Sequence, residues 1–163
     1  MPTRRRLNVL MIAVDDLRPQ MGCYGDADAV TPHMDALAAS GTTFMRAYCP
    51  QAVCNPSRAS LMTGRRPDTL KVWDLQTHFR THSPNVVPLP QHFKQHGYHA
   101  ECIGKIYHDP RSHRDRPSWS VEELLAFTDE VGGKYVLPEN ARRYEPAKGS
   151  RPCRETACYA IRR

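Results

Sequence analysis

The chain has 163 residues, of which 40% are hydrophobic and 25% charged, and its formal net charge at pH 7 is +6. This length and balance predict a soluble globular domain with a hydrophobic core and exclude a disordered or fibrous chain. The basic surplus fits an anionic partner. No nucleic-acid-binding signature accompanies it, so no nucleic-acid partner is expected.

The N-terminus combines a basic tail, residues 1–6, with an apolar run, residues 7–14. Asp15 and Asp16 end this run without a small-residue cleavage site, so it predicts a strand rather than a signal peptide. No apolar run approaches the roughly 18 residues of a membrane-spanning helix, so no membrane span is expected. Without a visible export signal, the default expectation is a cytoplasmic protein.

The predicted elements alternate between strands and helices. The first strand, residues 7–14, is apolar without alternation, which is typical of a strand buried on both faces of a parallel sheet. The next elements in chain order are a helix from Thr31 to Gly41, a strand at 42–48, a helix at 57–63, a helix at 90–96 and a strand at 98–103. A capping box at Ser120–Glu123 predicts one more helix. This order predicts an α/β architecture with a mostly parallel sheet flanked by helices.

Two acidic residues, Asp15 and Asp16, directly follow the first strand. Functional groups gather at the carboxyl ends of strands in such sheets, and adjacent carboxylates are hard oxygen ligands that suit calcium or magnesium. A solvated turn that ends the strand is the alternative from these residues alone.

Cys54 begins the string Cys-Asn-Pro-Ser-Arg, at the predicted start of a helix. Free N–H groups and the helix dipole acidify a thiol in that position and attract anions. Arg58 lies one helical turn further on and faces the same side. A buried, inert thiol is the ordinary role of an isolated cysteine, but the surrounding string favours a reactive one.

Residues 54–65 resemble the signature of the type I sulfatases, Cys-x-Pro-Ser-Arg followed by a helix and Thr-Gly-Arg. In that family a maturation enzyme converts the cysteine to formylglycine, which the resemblance places at Cys54. The loop Gly104–His108 is similar to a sulfatase loop that carries a lysine and a histidine, here Lys105 and His108. Further matching stretches bring the chain closest to the iduronate 2-sulfatase subgroup.

The resemblance implies an alkaline phosphatase-like fold, of which residues 7–127 are the N-terminal part and residues 128–163 are poorly assigned. It implies a sulfuric ester hydrolase that acts on a sulfated sugar such as iduronate 2-sulfate. The implied metal is calcium, with magnesium as an alternative, bound by Asp15, Asp16 and the modified Cys54. Arg58 and Lys105 would neutralise the sulfate, and His108 would protonate the leaving oxygen.

Two alternatives to a sulfatase remain from the sequence. One is a phosphodiester or phosphonate monoester hydrolase of the same superfamily, and the other is a non-catalytic fragment that binds sulfated glycans. Family members run to several hundred residues and supply further ligands that cannot be located here, so little activity is expected of this chain alone. They are usually exported or lysosomal, in contrast to the cytoplasmic default.

The other aromatic and histidine residues are expected to have no catalytic role. Trp73 and Trp119 are predicted to pack in the protein, and the remaining histidines to be surface or helix-cap residues. His92 and His96 are four residues apart on a predicted helix, but no third zinc ligand has a fitting spacing. These remaining histidines are His33, His78, His82, His92, His96, His99 and His113.

Overall fold

The computed structural model describes residues 6–109 and 112–124 and the backbone of residues 157–162. The chain divides into two units. The first unit combines the chain up to Asp15 with the chain from Pro50 onward, and the second unit is Asp16–Cys49. The boundaries predicted at residues 6 and 127 stay a prediction, and residues 125–156 lie outside the described part.

The first unit contains the three described strands and most of the helices. Its strands are β1 (Val9–Ala13), β2 (His99–Ile103) and β3 (Ala157–Arg162). Its helices are α2 (Cys54–Thr63), α3 (Pro67–Leu70), α4 (Phe79–His82) and α5 (Leu89–Gln95), with a 3-10 helix at Arg116–Ser118. The second unit contains α1 (Pro32–Ser40) and a 3-10 helix at Gly22–Tyr24.

The described sheet has the order β1-β3-β2, and both of its ladders are antiparallel. The prediction of parallel pairing is therefore wrong for these ladders. The reason is β3, which comes from the C-terminal segment that the sequence left unassigned and lies between β1 and β2. Both outer strands run antiparallel to β3, so β1 and β2 are parallel to each other without being paired.

Only one face of β1 packs against the core. Val9 and Met11 contact the buried cluster, whereas Leu10 and Ile12 are 66% and 60% exposed. The prediction of a strand buried on both faces is thus wrong for the described structure, because none of its described helices covers the second face. The alternation is typical of a sheet with one open face.

The core lies between the inner face of the sheet and helices α2 to α5. It contains eleven buried side chains and is centred on aromatic and aliphatic residues of several elements. They are Ala59, Met62, Leu70, Val72, Phe79, Val86, Ala100, Cys102, Ile106, Tyr107 and Trp119. Trp119 packs as predicted, but Trp73 is 54% exposed and its indole N–H donates to Asp68.

Two predicted elements are absent from the described structure. Residues 42–48 form no strand, because the second unit provides no neighbouring strand for their backbone groups. Residues 120–124 form no helix and instead run beside β2, where Ala100 N donates to the Ser120 hydroxyl and Leu124 forms a parallel bridge with Ile103. The Ser120 side chain serves the strand and is not free to cap a helix.

Candidate active site

Cys54 is the first residue of α2 and is half-buried. The preceding residue, Val53, is extended and accepts from Ser57 N–H, which fixes the first turn. Pro56 suits this turn because it needs no N–H partner there. The helix starts three residues before the predicted Ser57, so Cys54 itself belongs to its N-terminal turn, where the helix dipole favours negative charge.

His108 is the direct neighbour of Cys54. Its Nδ1 lies 3.1 Å from Cys54 Sγ, although the two residues are 54 positions apart in the chain. His108 comes from the loop that follows β2, and Gly104 turns the chain there with φ +77°. A side chain at residue 104 would be strained by this left-handed backbone conformation. The predicted pair of Cys54 and His108 thus lies together in the structure.

Arg58, Asp15 and Lys105 form a buried charge cluster, which we call the ion triad. Arg58 Nη2 lies 2.9 Å from Asp15 Oδ1, and Lys105 Nζ bonds Asp15 Oδ2. The side chains are between 6% and 11% exposed. Two cations against one carboxylate leave a formal surplus of one positive charge. A surplus of this sign favours an anion next to the triad.

Arg58 also holds the loop that carries Lys105. Its Nη1 donates to the carbonyl oxygens of Lys105 and Ile106, at 2.7 and 3.0 Å. These bonds join α2 to the loop after β2 and fix the orientation of the guanidinium. The same arginine therefore supplies charge and fixes the loop between Gly104 and His108.

The pKa of the Asp15 carboxyl is lowered. Burial opposes its ionisation, but the hydrogen bonds and charges of Lys105 and Arg58 outweigh burial. Asp15 is thus ionised at neutral pH and serves as the counter-ion of both cations.

Asn55 is a residue of this site that the sequence reasoning missed. It is 3% exposed, and its side-chain amide donates to the carbonyl oxygens of Asp74 and Thr77, both at 2.9 Å. Asp74 in turn accepts from Gln76 N–H and Thr77 N–H. These bonds tie the first turn of α2 to the turn at residues 74–77. The signature leaves this position variable, so nothing in the sequence marked it.

The expectation that His113 is a surface or cap residue is wrong. His113 is 2% exposed, and its ring lies 5.3 Å from that of His108, measured between centroids. Burial lowers the pKa of both His113 and its neighbour His78, which keeps them neutral at neutral pH. His92 and His96 are exposed, as expected.

The sequence predicts Asp15, Asp16 and the modified Cys54 as metal ligands. Asp16, one expected ligand, belongs to the second unit and has a positive φ of 53°. Both oxygens of Asp15 already accept from cations. Among the described residues, no three His, Cys, Asp or Glu side chains form a group that could hold a metal ion. Calcium takes 6–8 oxygen ligands, so a complete shell needs ligands besides Asp15 and Asp16, and their metal role stays a prediction.

The site combines a half-buried nucleophile candidate beside a histidine with two cations in the same unit, groups that can attack an ester and neutralise an anion. The sulfatase family model matches residues 7–142. The chain therefore belongs to the sulfatase family, whose members share an alkaline phosphatase-like α/β fold and generally use formylglycine and a metal.

The curated relatives agree with this family. Iduronate 2-sulfatase of Mus musculus is 49% identical over 63% of this chain and 18% of its own length. The Homo sapiens protein of that name is 47% identical over 72% of this chain and 22% of its own length. N-acetylgalactosamine-6-sulfatase of Homo sapiens is 32% identical over 65% of this chain and 23% of its own length.

The chain thus spans about a fifth of the length of these relatives. Within the described residues, no helix is long and apolar enough to cross a membrane.

Proposed function

We propose that the chain carries the nucleophile-bearing part of a sulfuric ester hydrolase, and that its substrate is a sulfated sugar such as iduronate 2-sulfate. The observation that supports this most is the contact of 3.1 Å between Cys54 Sγ and His108 Nδ1 at the start of α2. The iduronate 2-sulfatases named above are the relatives on which the choice of sugar rests.

Formylglycine at position 54, once hydrated, would supply one oxygen that attacks sulfur and displaces the sugar alcohol. Its second hydroxyl would then lose a proton, which breaks the bond from carbon to the sulfated oxygen, releases sulfate and restores the aldehyde. The position suits this group because it is half-buried and opens a helix. The maturation enzyme that makes formylglycine is a proposed partner of the chain, through Cys54, Pro56 and Arg58.

His108 has the proton-transfer role in this proposal. Its Nδ1 faces the reacting atom of residue 54, so it can hold a proton there or pass it to the leaving sugar oxygen. The position of His108 in the loop after β2 is set by the turn at Gly104. It is also set by Arg58, which donates hydrogen bonds to two carbonyl oxygens of this loop.

Arg58 and Lys105 bind and orient the sulfate in this proposal. Their surplus charge beyond Asp15 attracts an anion, and their low exposure strengthens that attraction because water screens buried charges poorly. They would also stabilise the charge that develops on the sulfate oxygens during transfer.

Calcium, with magnesium as the alternative, stays a prediction, and so do Asp15, Asp16 and residue 54 as its ligands. The roles given to His108, Arg58 and Lys105 do not depend on the metal.

A sulfate-release assay tests the proposal. The chain is first matured by a formylglycine-generating enzyme, then incubated with a disaccharide that carries a terminal iduronate 2-sulfate, and free sulfate is measured by ion chromatography. Because little activity is expected of this chain alone, we expect slow release that Cys54→Ala abolishes, while Cys49→Ala, a matched change of an exposed cysteine, has no effect.

Two results would favour the alternatives. Faster hydrolysis of a phosphodiester than of the sulfate ester would indicate the phosphoesterase. Binding of the disaccharide by a fully matured chain, without any release of sulfate, would indicate the non-catalytic glycan-binding fragment.

A further inference from the structure

A column of aromatic rings connects His108 to the hydrophobic core. His108 contacts His113 edge to face, with 5.3 Å between centroids and 73° between planes. His113 stacks on His78 at 5.8 Å, and His78 stacks on Phe79 at 4.6 Å. Phe79 is 2% exposed and also stacks on Tyr107 of the core. The ring behind His108 thus rests on a rigid support.

Hydrogen bonds fix His113 in this column. Its backbone N–H donates to the Asp109 carbonyl, at 2.8 Å, and its Nδ1 lies 2.9 Å from the Ser112 hydroxyl. That hydroxyl donates to the Asp109 carboxylate, at 3.0 Å, so its oxygen can accept from His113 Nδ1–H.

The His113 ring is held on several sides. It is 2% exposed and lies in the column between His108 and His78. Besides the Ser112 hydroxyl at Nδ1, the side chain interacts with the backbone of Gln76 and Thr77. A buried ring fixed in this way can support the orientation of the ring that packs against it.

We propose that His113 is a positioning residue of the active site, which holds the His108 ring so that Nδ1 faces residue 54. The inference rests on the proposed role of His108, but it concerns a residue that neither the sequence motif nor the ion triad includes. His113 acts only through His108 and does not itself reach the reacting atoms in this account.

The test uses the unmodified 163-residue chain, because the thiol of Cys54 reports the position of His108 without any sulfatase activity. Iodoacetamide labels the chain, and the labelling rates of Cys54 and Cys49 are compared by fragmenting the one tryptic peptide that carries both. Cys49 is exposed and serves as the internal reference. His108→Ala sets the rate of Cys54 without its histidine partner.

We expect His113→Ala to lower the ratio of the Cys54 rate to the Cys49 rate about threefold or more, toward the His108→Ala value, because loss of orientation weakens a general base steeply. His113→Phe keeps an aromatic ring but loses the bond of Nδ1 to Ser112, so its ratio is expected to lie between those of wild type and His113→Ala. The matched control His82→Ala removes an exposed histidine of α4 and should leave the ratio unchanged.

Ser112→Ala gives a second variant in case His113→Ala does not fold, since Ser112 is exposed and its loss spares the core. It removes the bond to Nδ1 and should lower the ratio by less than His113→Ala. An unchanged ratio in folded His113→Ala or folded Ser112→Ala would overturn the proposal, whatever happens to the melting temperature. So would an unchanged ratio in His108→Ala, since His113 would then have nothing to position. Failure of sulfate release with these ratios intact would instead count against the proposed function alone.

Discussion

Helices α1 and α2 have nearly the same length but very different surroundings. α1, in the second unit, has nine residues and buries none of them. α2, in the first unit, has ten residues and buries six, including the polar Asn55, Arg58 and Ser60. The apolar side chains of α1 lie largely in solvent, with Leu37 71% exposed.

The difference shows what fixes the active site. α1 is held mainly by local bonds, such as Asp35 with Thr31 and with Cys23 N–H. α2 is held by long-range polar bonds of Asn55 and Arg58 in addition to packing of Ala59 and Met62. The catalytic candidates are thus placed by the more strongly anchored of the two helices.

Core truncation should separate the two helices most clearly. Met62→Ala on α2 removes a side chain that is 1% exposed, and a loss of about 2–5 kcal/mol in the free energy of unfolding is expected. Leu37→Ala on α1 should cost less than about 0.5 kcal/mol. Urea denaturation followed by tryptophan fluorescence measures both, and equal losses would remove the contrast between the helices.

Removal of Arg58 from the ion triad should cause the second-largest loss in the free energy of unfolding. Arg58→Met keeps much of the side-chain volume but removes the partner of Asp15 and the donors to two loop carbonyls, at an expected cost of about 3 kcal/mol. Arg65→Met changes an exposed arginine just beyond α2 and should be close to neutral. If the two variants unfold at the same urea concentration, the triad does not anchor α2.

Asn55→Ala should have a smaller effect, because it breaks two hydrogen bonds to carbonyls that lie close to the surface. The expected loss is about 2 kcal/mol, together with faster amide exchange in residues 74–77. Asn85→Ala, an exposed asparagine, is the matched control. Unchanged exchange at Gln76 and Thr77 would contradict the role given to Asn55.

The smallest expected effect is the dependence of stability on acidic pH through Asp15. The pKa of Asp15 in the folded chain lies below its ordinary value of 3.8. Its contribution to stability is therefore fully present above pH 3.8 and is lost as pH falls through the folded pKa. The difference in the free energy of unfolding between wild type and Asp15→Asn should shrink in that acidic range. Between about pH 5 and 7 it should stay constant, because Asp15 is ionised there in both the folded and the unfolded chain. A gap that grows on acidification would contradict this sign.

The sequence marked residues that the structure places together, although their chemical roles stay predictions. A string of unusual side chains marked Cys54 and Arg58, and the loop after β2 supplied Lys105 and His108, which the structure brings near α2. The limits of α5 and β2 agree to within one residue, because proline and glycine mark these ends.

The rest depended on contacts between distant segments. β3 inserts between β1 and β2 from a segment with no clear pattern, so the pairing direction could not be read from the apolar run. Asn55 and His113 have side chains that are common on surfaces, and only the fold buries them. Ser120 looked like a helix cap because the local pattern carries no information about the neighbouring strand.

The most direct test of the central claim, that residue 54 is the nucleophile, is the mass of its peptide after coexpression with a formylglycine-generating enzyme. Conversion of the Cys54 thiol to an aldehyde lowers the mass by about 18 Da, and only the aldehyde can supply the proposed nucleophile. We predict this loss at Cys54 and not at Cys49 in the same peptide. An intact Cys54 thiol, in cells that convert a known sulfatase, would contradict the account.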